Sequence, residues 1–335
     1  MRTRWVDIAK GIGIILVVYG HVLRGLHEAN LEMSEKFFEV SDALVYGFHM
    51  PLFFFLSGMF VAKWAKRDWP TATLQKTRSL LYPYLIWSLL QGVIMISLAS
   101  LTNNTEDSLT YANLGYHIAI EPFGQFWFLY ALFFIFMLYY ALRRLAHNTI
   151  IMLLSMVLFM MVPVVSGIWA FGSFCTYFAY FVLGSLLFQK GLVDKLLQLR
   201  GSLAASSLLF VGVNAAYISV LDSLGAYALQ AIQFIVAVIG IAFIINLSYR
   251  LSQRQSSVLT AIGSASMTIY LVHILAGSGT RIVLTKLLHF DNVAGHLVLG
   301  TLVGVLAPMA VQAVVERIKP AAYLFTINRG KAKEA

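Results

Sequence analysis

Ten apolar runs, each near the length of a membrane span, dominate the sequence. They cover residues 6–26, 42–63, 79–101, 124–142, 149–169, 173–189, 203–221, 228–248, 258–277 and 294–316. A helix needs roughly 20 apolar residues to cross the hydrocarbon core, where no water satisfies the backbone. The repetition of such runs confines the chain to an all-α, polytopic membrane fold of about ten transmembrane helices. The residue balance agrees. Apolar types make up 59% of the chain and charged types 12%, whereas an ordinary soluble domain carries about 25% charged residues. A soluble fold of this size has too little interior to hide so much apolar area. Disorder and a disulfide scaffold are excluded as well, since the one cysteine, Cys175, has no intrachain partner.

The formal net charge is +9. With the N-terminus in the cytoplasm, 19 of the 24 Lys and Arg residues fall on that side. Arg24, Lys36, Arg281 and Lys286 fall outside, and Lys10 lies within the first run. Such asymmetry predicts an even number of spans with both termini inside. It also accounts for the net charge, so nucleic acid is not expected as a partner. The first run resembles a signal peptide in being basic and then apolar. Its length, and the lack of a small-residue cleavage site after it, predict a retained helix. Two polar stretches are expected outside, an acidic loop over 27–42 and the segment 102–123.

Ionisable residues inside spans are costly unless they face a cavity or a partner, so they carry the functional information. The first run reads VDIAKGIGIILVVYGHV. Asp7 and Lys10 are three residues apart and share a helix face, as an ion pair would. His21 follows Lys10 by eleven residues, close to three full turns, which puts both on one face about 16 Å apart along the axis. One helix would then carry a cation near its cytoplasmic end and a titratable base near its outer end. The bland alternatives are a Lys10 that snorkels to the headgroups and a His21 bonded to a backbone carbonyl. His49 opens the second span beside Pro51, an ordinary pairing for a helix start. Arg78 precedes the third span, where snorkelling explains it. Trp127 and Tyr130 suit an outer aromatic belt. Asn214 and Gln233 read as interhelical hydrogen-bonding amides, and Gly300–Gly304 as a helix-packing notch. His273 ends the stretch IGSASMTIYLVH of the ninth run, near the outer face. HExxH, GxSxG and Walker sequences are missing, and the eight histidines show no ligand-like spacing, so no metal is expected.

Six segments together resemble the integral-membrane acyltransferase-3 family, and most closely its fucose 4-O-acetylase-like branch. They are WVDIAKGIGIILVVYGHV (5–22), FHMPLFFFLSGMF (48–60), KTRSLLYPYLIW (76–87), FWFLYALF (126–133), FAYFVLGSLL (178–187) and IGSASMTIYLVH (262–273). The resemblance implies an acyltransferase-3-type transmembrane domain over 1–320 and a basic cytoplasmic tail over 321–335. It implies transfer of an acyl group, usually acetyl from acetyl-CoA, to a hydroxyl of a cell-envelope or exported glycan, in a bacterial cytoplasmic (inner) membrane. His21 matches the family's first-helix histidine, held to be the catalytic base, with Asp7 and Lys10 assisting. Lys10 stands where many members carry arginine, and lysine lacks the bidentate phosphate geometry of arginine. His49, Lys76, Arg78, Trp127, Tyr130 and His273 are the expected donor- and acceptor-binding residues. The chemistry suits these positions: a sugar hydroxyl needs its proton removed as it attacks a thioester, and histidine titrates near neutral pH. The alternative is a secondary transporter of a glycan precursor or small solute, with Asp7, Lys10 and His21 as a proton relay. The sequence lacks the paired, Gly/Pro-broken spans expected of inverted repeats.

Overall fold

The computed structural model describes residues 4–99, 109–165, 169–221, 223–254, 256–315, 317–318, 320–325 and 327, without the side chains of 169 and 170. Among the described residues every regular element is helical. Nine helical stretches are long and apolar enough to span a membrane, and a tenth, Asn148–Met160, is apolar but shorter. The polytopic all-α expectation is met, with one qualification at the fifth run.

That run, 149–169, does not form one span. Its helix stops at Met160 after 13 residues, about 20 Å of rise against a core of roughly 30 Å. Pro163 supplies the reason: it has no N–H to donate and its ring crowds the carbonyl four residues back. A single turn, Val162–Val165, follows. The second run, 42–63, is also broken. It forms α2 (Glu35–Tyr46) and α3 (His49–Met59), separated at Gly47 and Phe48. The acidic loop expected over 27–42 is mostly helix, because α1 (Arg4–Glu28) and α2 extend into it. In the third span, Asp68 caps the helix Trp69–Lys76 by accepting from the Thr71 N–H at 3.1 Å. A π-helical turn, Thr77–Leu81, then leads into α4 (Tyr82–Ser97). Residues 102–108 of the polar segment lie outside the described residues; its remainder includes a short helix, Leu114–Ala119.

The other long elements are α5 (Trp127–Leu145), α6 (Asn148–Met160), α7 (Trp169–Gln189), α8 (Ser202–Val220) and α9 (Ala226–Gln253). The ninth run splits at Ala265 into α10 (Ser257–Ser264) and α11 (Ser266–Ile282), and α12 is Val293–Val315. Helix α1 is central and packs against α2, α3, α9, α10, α11 and α12.

Lipid tails give helices no hydrophobic reason to associate, so small residues that allow close approach matter most. Gly11 and Gly263 form a reciprocal notch: a Cβ on Gly11 would strike the Leu259 carbonyl, and one on Gly263 the Asp7 carbonyl. Gly58 and Gly184 do the same between α3 and α7, against the Phe181 and Phe55 carbonyls. Gly300 and Gly304 receive Val22 and Val18 of α1, which makes the GxxxG a packing notch. Gln233 reaches across to Tyr217 of α8 at 3.0 Å, as an interhelical amide should, while Asn214 donates to the Phe210 carbonyl of its own helix. At the start of the 321–335 tail, a short 3₁₀ turn (Pro320–Leu324) returns to α4: Trp87 Nε1 donates to the Leu324 carbonyl at 2.8 Å. The basic residues Arg329, Lys331 and Lys333 lie outside the described residues.

Candidate active site

The break in the second span builds the site. A helix end leaves its last carbonyls unsatisfied. His49 enters the next helix, and its Nδ1 donates back to the Val45 carbonyl at 2.6 Å. Its Nε2 is left as an acceptor. The ring is buried, and the edge of Tyr46 meets it at 4.6 Å between centroids. Tyr46 in turn lies under Arg24, whose guanidinium carbon is 3.3 Å from the ring centre. Arg24 is fixed by a two-point grip on Asp42, Nε to Oδ1 at 2.6 Å and Nη2 to Oδ2 at 2.8 Å.

Arg24, Tyr46 and His49 enclose a cavity of about 480 Å³ together with His21, Trp127 and Tyr270. His21 projects from the last turns of α1. Its ring neighbours are His273, at 5.1 Å between centroids, and Tyr46, at 6.4 Å. His273 holds its Nδ1 against the Tyr270 and Ile269 carbonyls at 2.8 and 3.1 Å. Carbonyls only accept, so Nδ1 carries the proton and Nε2 has the lone pair. That Nε2 is buried and has no hydrogen-bond partner. Opposite, the amides of Gln91 and Gln125 bond each other twice, at 3.2 and 2.9 Å, and Tyr270 donates its hydroxyl to the Gln125 carbonyl. Gly124 turns the chain there with φ +56°, a conformation that costs glycine little.

A second cavity, about 280 Å³, lies at the other end of α1. Lys10 and Lys76 line it, with Ser57, Ser266 and a mostly apolar wall that includes Phe53 and Phe128. Lys76 Nζ stands 3.4 Å from the Phe136 ring centre. Val17, Met50 and Tyr270 line both cavities. The two therefore adjoin, with the two lysines in one and the histidines in the other.

The predicted residues divide accordingly. His21, His49 and Trp127 line the first cavity, His273 stands beside His21, and Lys10 and Lys76 line the second. The other three neither line a cavity wall nor stand against His21. Asp7 is buried at the α1–α10 notch. Arg78 sits in the π-helical turn. Tyr130 is tied to the Ala119 carbonyl at 3.1 Å. Sequence reasoning missed Arg24, Asp42, Tyr46, Arg281 and the Gln91–Gln125 pair. Arg24 and Arg281 served only as outer charges in the topology argument, yet both line the His21 cavity. Their signal was position: Arg24 lies three residues and Arg281 eight residues along the helix from a span histidine. Among the described residues, no group of three or more His, Cys, Asp or Glu is placed to hold a metal ion.

The profile of the family described as "Acyltransferase domain", of the acyltransferase-3 type, matches residues 3–313. Nodulation protein NolL of Mesorhizobium japonicum is 30% identical over 140 residues, which are 39% of this chain and 34% of that protein. The match thus spans about a third of the relative's length. No solved structure matches the chain. The notch that seats α1, the histidines gathered at one end of it and a family profile running nearly the whole length lead to one assignment: the chain belongs to the acyltransferase-3 family of multi-pass membrane acyltransferases.

Proposed function

We propose that the protein moves an acetyl group from acetyl-CoA to a hydroxyl of a cell-envelope or exported glycan, with His21 as general base. The observation that carries this reading is the pair of adjoining cavities, one lined by two lysines and one by two histidines with a third beside them, linked by a single helix. A base, an acceptor-sized space and a route from the opposite side are what transfer to an outer hydroxyl requires.

The inner cavity suits the donor's slender arm rather than its whole nucleotide. Its apolar wall accommodates a pantetheine chain, and the Lys10 and Lys76 ammonium groups complement phosphate at its mouth. Acetyl-CoA supplies the activated acyl carbon when bound. His21 takes the hydroxyl proton as that oxygen attacks the thioester carbon, and returns it to the departing sulfur as the C–S bond breaks. His273 acts as a positioning residue. Its fixed tautomer offers Nε2 as the acceptor for a His21 N–H, the role of the third group in a nucleophile–base–orienter set. Ring centroids 5.1 Å apart need a modest closure for that bond, as unliganded sites often do. Basic residues on the Lys10 side favour a cytoplasmic donor and an outward acceptor.

The test is a strain deleted for this chain and complemented with wild type or His21→Ala at matched membrane levels. Base-labile esters on envelope and exported glycans are measured by mass spectrometry. Loss of one ester, restored by wild type and not by His21→Ala, supports the reading. An ester pattern that never depends on the protein contradicts it and returns the transporter alternative to consideration.

A further inference from the structure

A third cavity, about 440 Å³, adjoins the His21 cavity on the far side of Arg24 and Tyr46. This volume falls within the range of about 300–1,000 Å³ usual for small-molecule sites. Arg24 and Tyr46 line both spaces and form the partition between them. The partition is firm, because Asp42 grips the guanidinium at two points and the guanidinium covers the tyrosine ring.

The lining of the third cavity has a distinct chemistry. Tyr177, Tyr180 and Tyr217 supply aromatic surface, and Glu39, Asp42 and Gln233 supply polar groups. Gln233 donates to the Tyr217 hydroxyl, which leaves its carbonyl oxygen as an acceptor. The Tyr46 hydroxyl is buried without a hydrogen-bond partner, an expensive state for a polar atom. A ligand that meets this set needs apolar faces for the rings and hydroxyls for the carboxylates and amide. The two carboxylates outnumber the one guanidinium, which disfavours phosphate and other anions. An acyl chain would leave the polar groups unpaired. A neutral sugar ring fits on both counts.

We infer that this cavity is a second acceptor subsite, which binds the sugar unit next to the one acylated, so that the acceptor is an oligosaccharide laid across the Arg24–Tyr46 partition. The inference rests on the acyl-transfer reading above and deepens it. It makes Glu39 and Gln233 specificity-determining residues that take no part in the proton transfer.

The experiment uses the full chain in lipid nanodiscs. The probe is glycan from a deletion strain of the source organism, partially hydrolysed and sorted by size. Binding is measured by calorimetry with His21→Ala protein, which holds acceptor without turnover, alone and combined with Glu39→Gln or Gln233→Leu. Transfer from radiolabelled acetyl-CoA is measured in parallel with otherwise wild-type protein. The expected result is a gain of roughly tenfold in affinity from one sugar unit to two, equivalent to one or two hydrogen bonds and a stacking contact. Glu39→Gln and Gln233→Leu should each remove most of that gain, raising KM for longer acceptors while kcat holds. Glu39→Gln is nearly isosteric and guards against a folding artefact. Transfer that proceeds equally well with single sugars, or variants that leave the length dependence intact, would overturn the subsite alone. Failure of folded protein both to bind and to acylate any fragment would overturn the glycan-acceptor reading and this inference with it.

Discussion

A histidine serves as a base only if its free nitrogen faces the proton and its other nitrogen is controlled. In the proposed mechanism that control comes from His273, whose own tautomer is set by two helix carbonyls. Replacing His21 by alanine should lower transfer about a hundredfold to ten-thousandfold, the usual contribution of a positioned base. Replacing His273 by phenylalanine keeps the bulk and removes the acceptor nitrogen. It should lower kcat by roughly tenfold to a hundredfold and shift the pH profile, while His273→Gln, which keeps an acceptor, should recover part of the loss. A purely structural role would leave the profile unmoved. Arg24→Lys keeps the charge but loses the two-point grip on Asp42, so it should weaken acceptor binding with little change in donor KM. These residues differed in how far the sequence revealed them. His21 and His273 stand out because an ionisable ring inside an apolar run demands a reason. Arg24 sits at the edge of a run, where a cation is ordinary. Tyr46 acquires its role only from the chain break that follows it.

At the scale of elements, the break at Gly47–Phe48 shapes the site more than any regular helix does. It ends α2 at Tyr46, and His49, at the start of α3, returns its ring across the break to the Val45 carbonyl. No periodicity reports such a break, because Phe48 is as apolar as its neighbours. Pro163 did announce the interruption of the fifth run, but a count of apolar residues passes over it. Helix α7, the shortest of the expected spans, is held tightly by the Gly58–Phe181 and Gly184–Phe55 approaches. Gly58→Val would push side-chain atoms into a carbonyl and should cost about 1–3 kcal/mol or more. In detergent this should appear as a lower Tm and reduced yield. Gly212, whose surroundings are open, is the control: Gly212→Ala should be neutral or slightly stabilising.

For the whole molecule, two adjoining cavities on either side of Val17, Met50 and Tyr270 define a path along α1. The membrane class followed directly from the apolar runs. The cavities did not, since their walls come from five or more separate helices. The charge asymmetry predicts which end faces the cytoplasm, and labelling can check it. Cys175 is fully buried and should stay silent. An impermeant maleimide should then modify Lys36→Cys in intact cells, and Lys66→Cys only after permeabilisation. The reverse pattern would invert the assignment of donor and acceptor ends. Lys10→Gln and Lys76→Gln should each raise KM for acetyl-CoA by roughly tenfold and reduce its salt dependence, with acceptor KM unchanged.

The central claim is that this chain transfers an acyl group through His21. The most direct measurement reconstitutes purified wild-type and His21→Ala protein with radiolabelled acetyl-CoA and glycan from the deletion strain, and counts base-labile label on the glycan. The account predicts steady transfer by wild type and a loss of at least about a hundredfold in a folded His21→Ala protein. Equal transfer by the two proteins would contradict the assignment of the base, and no transfer by folded wild type would contradict acetyl-CoA-dependent acylation of that glycan.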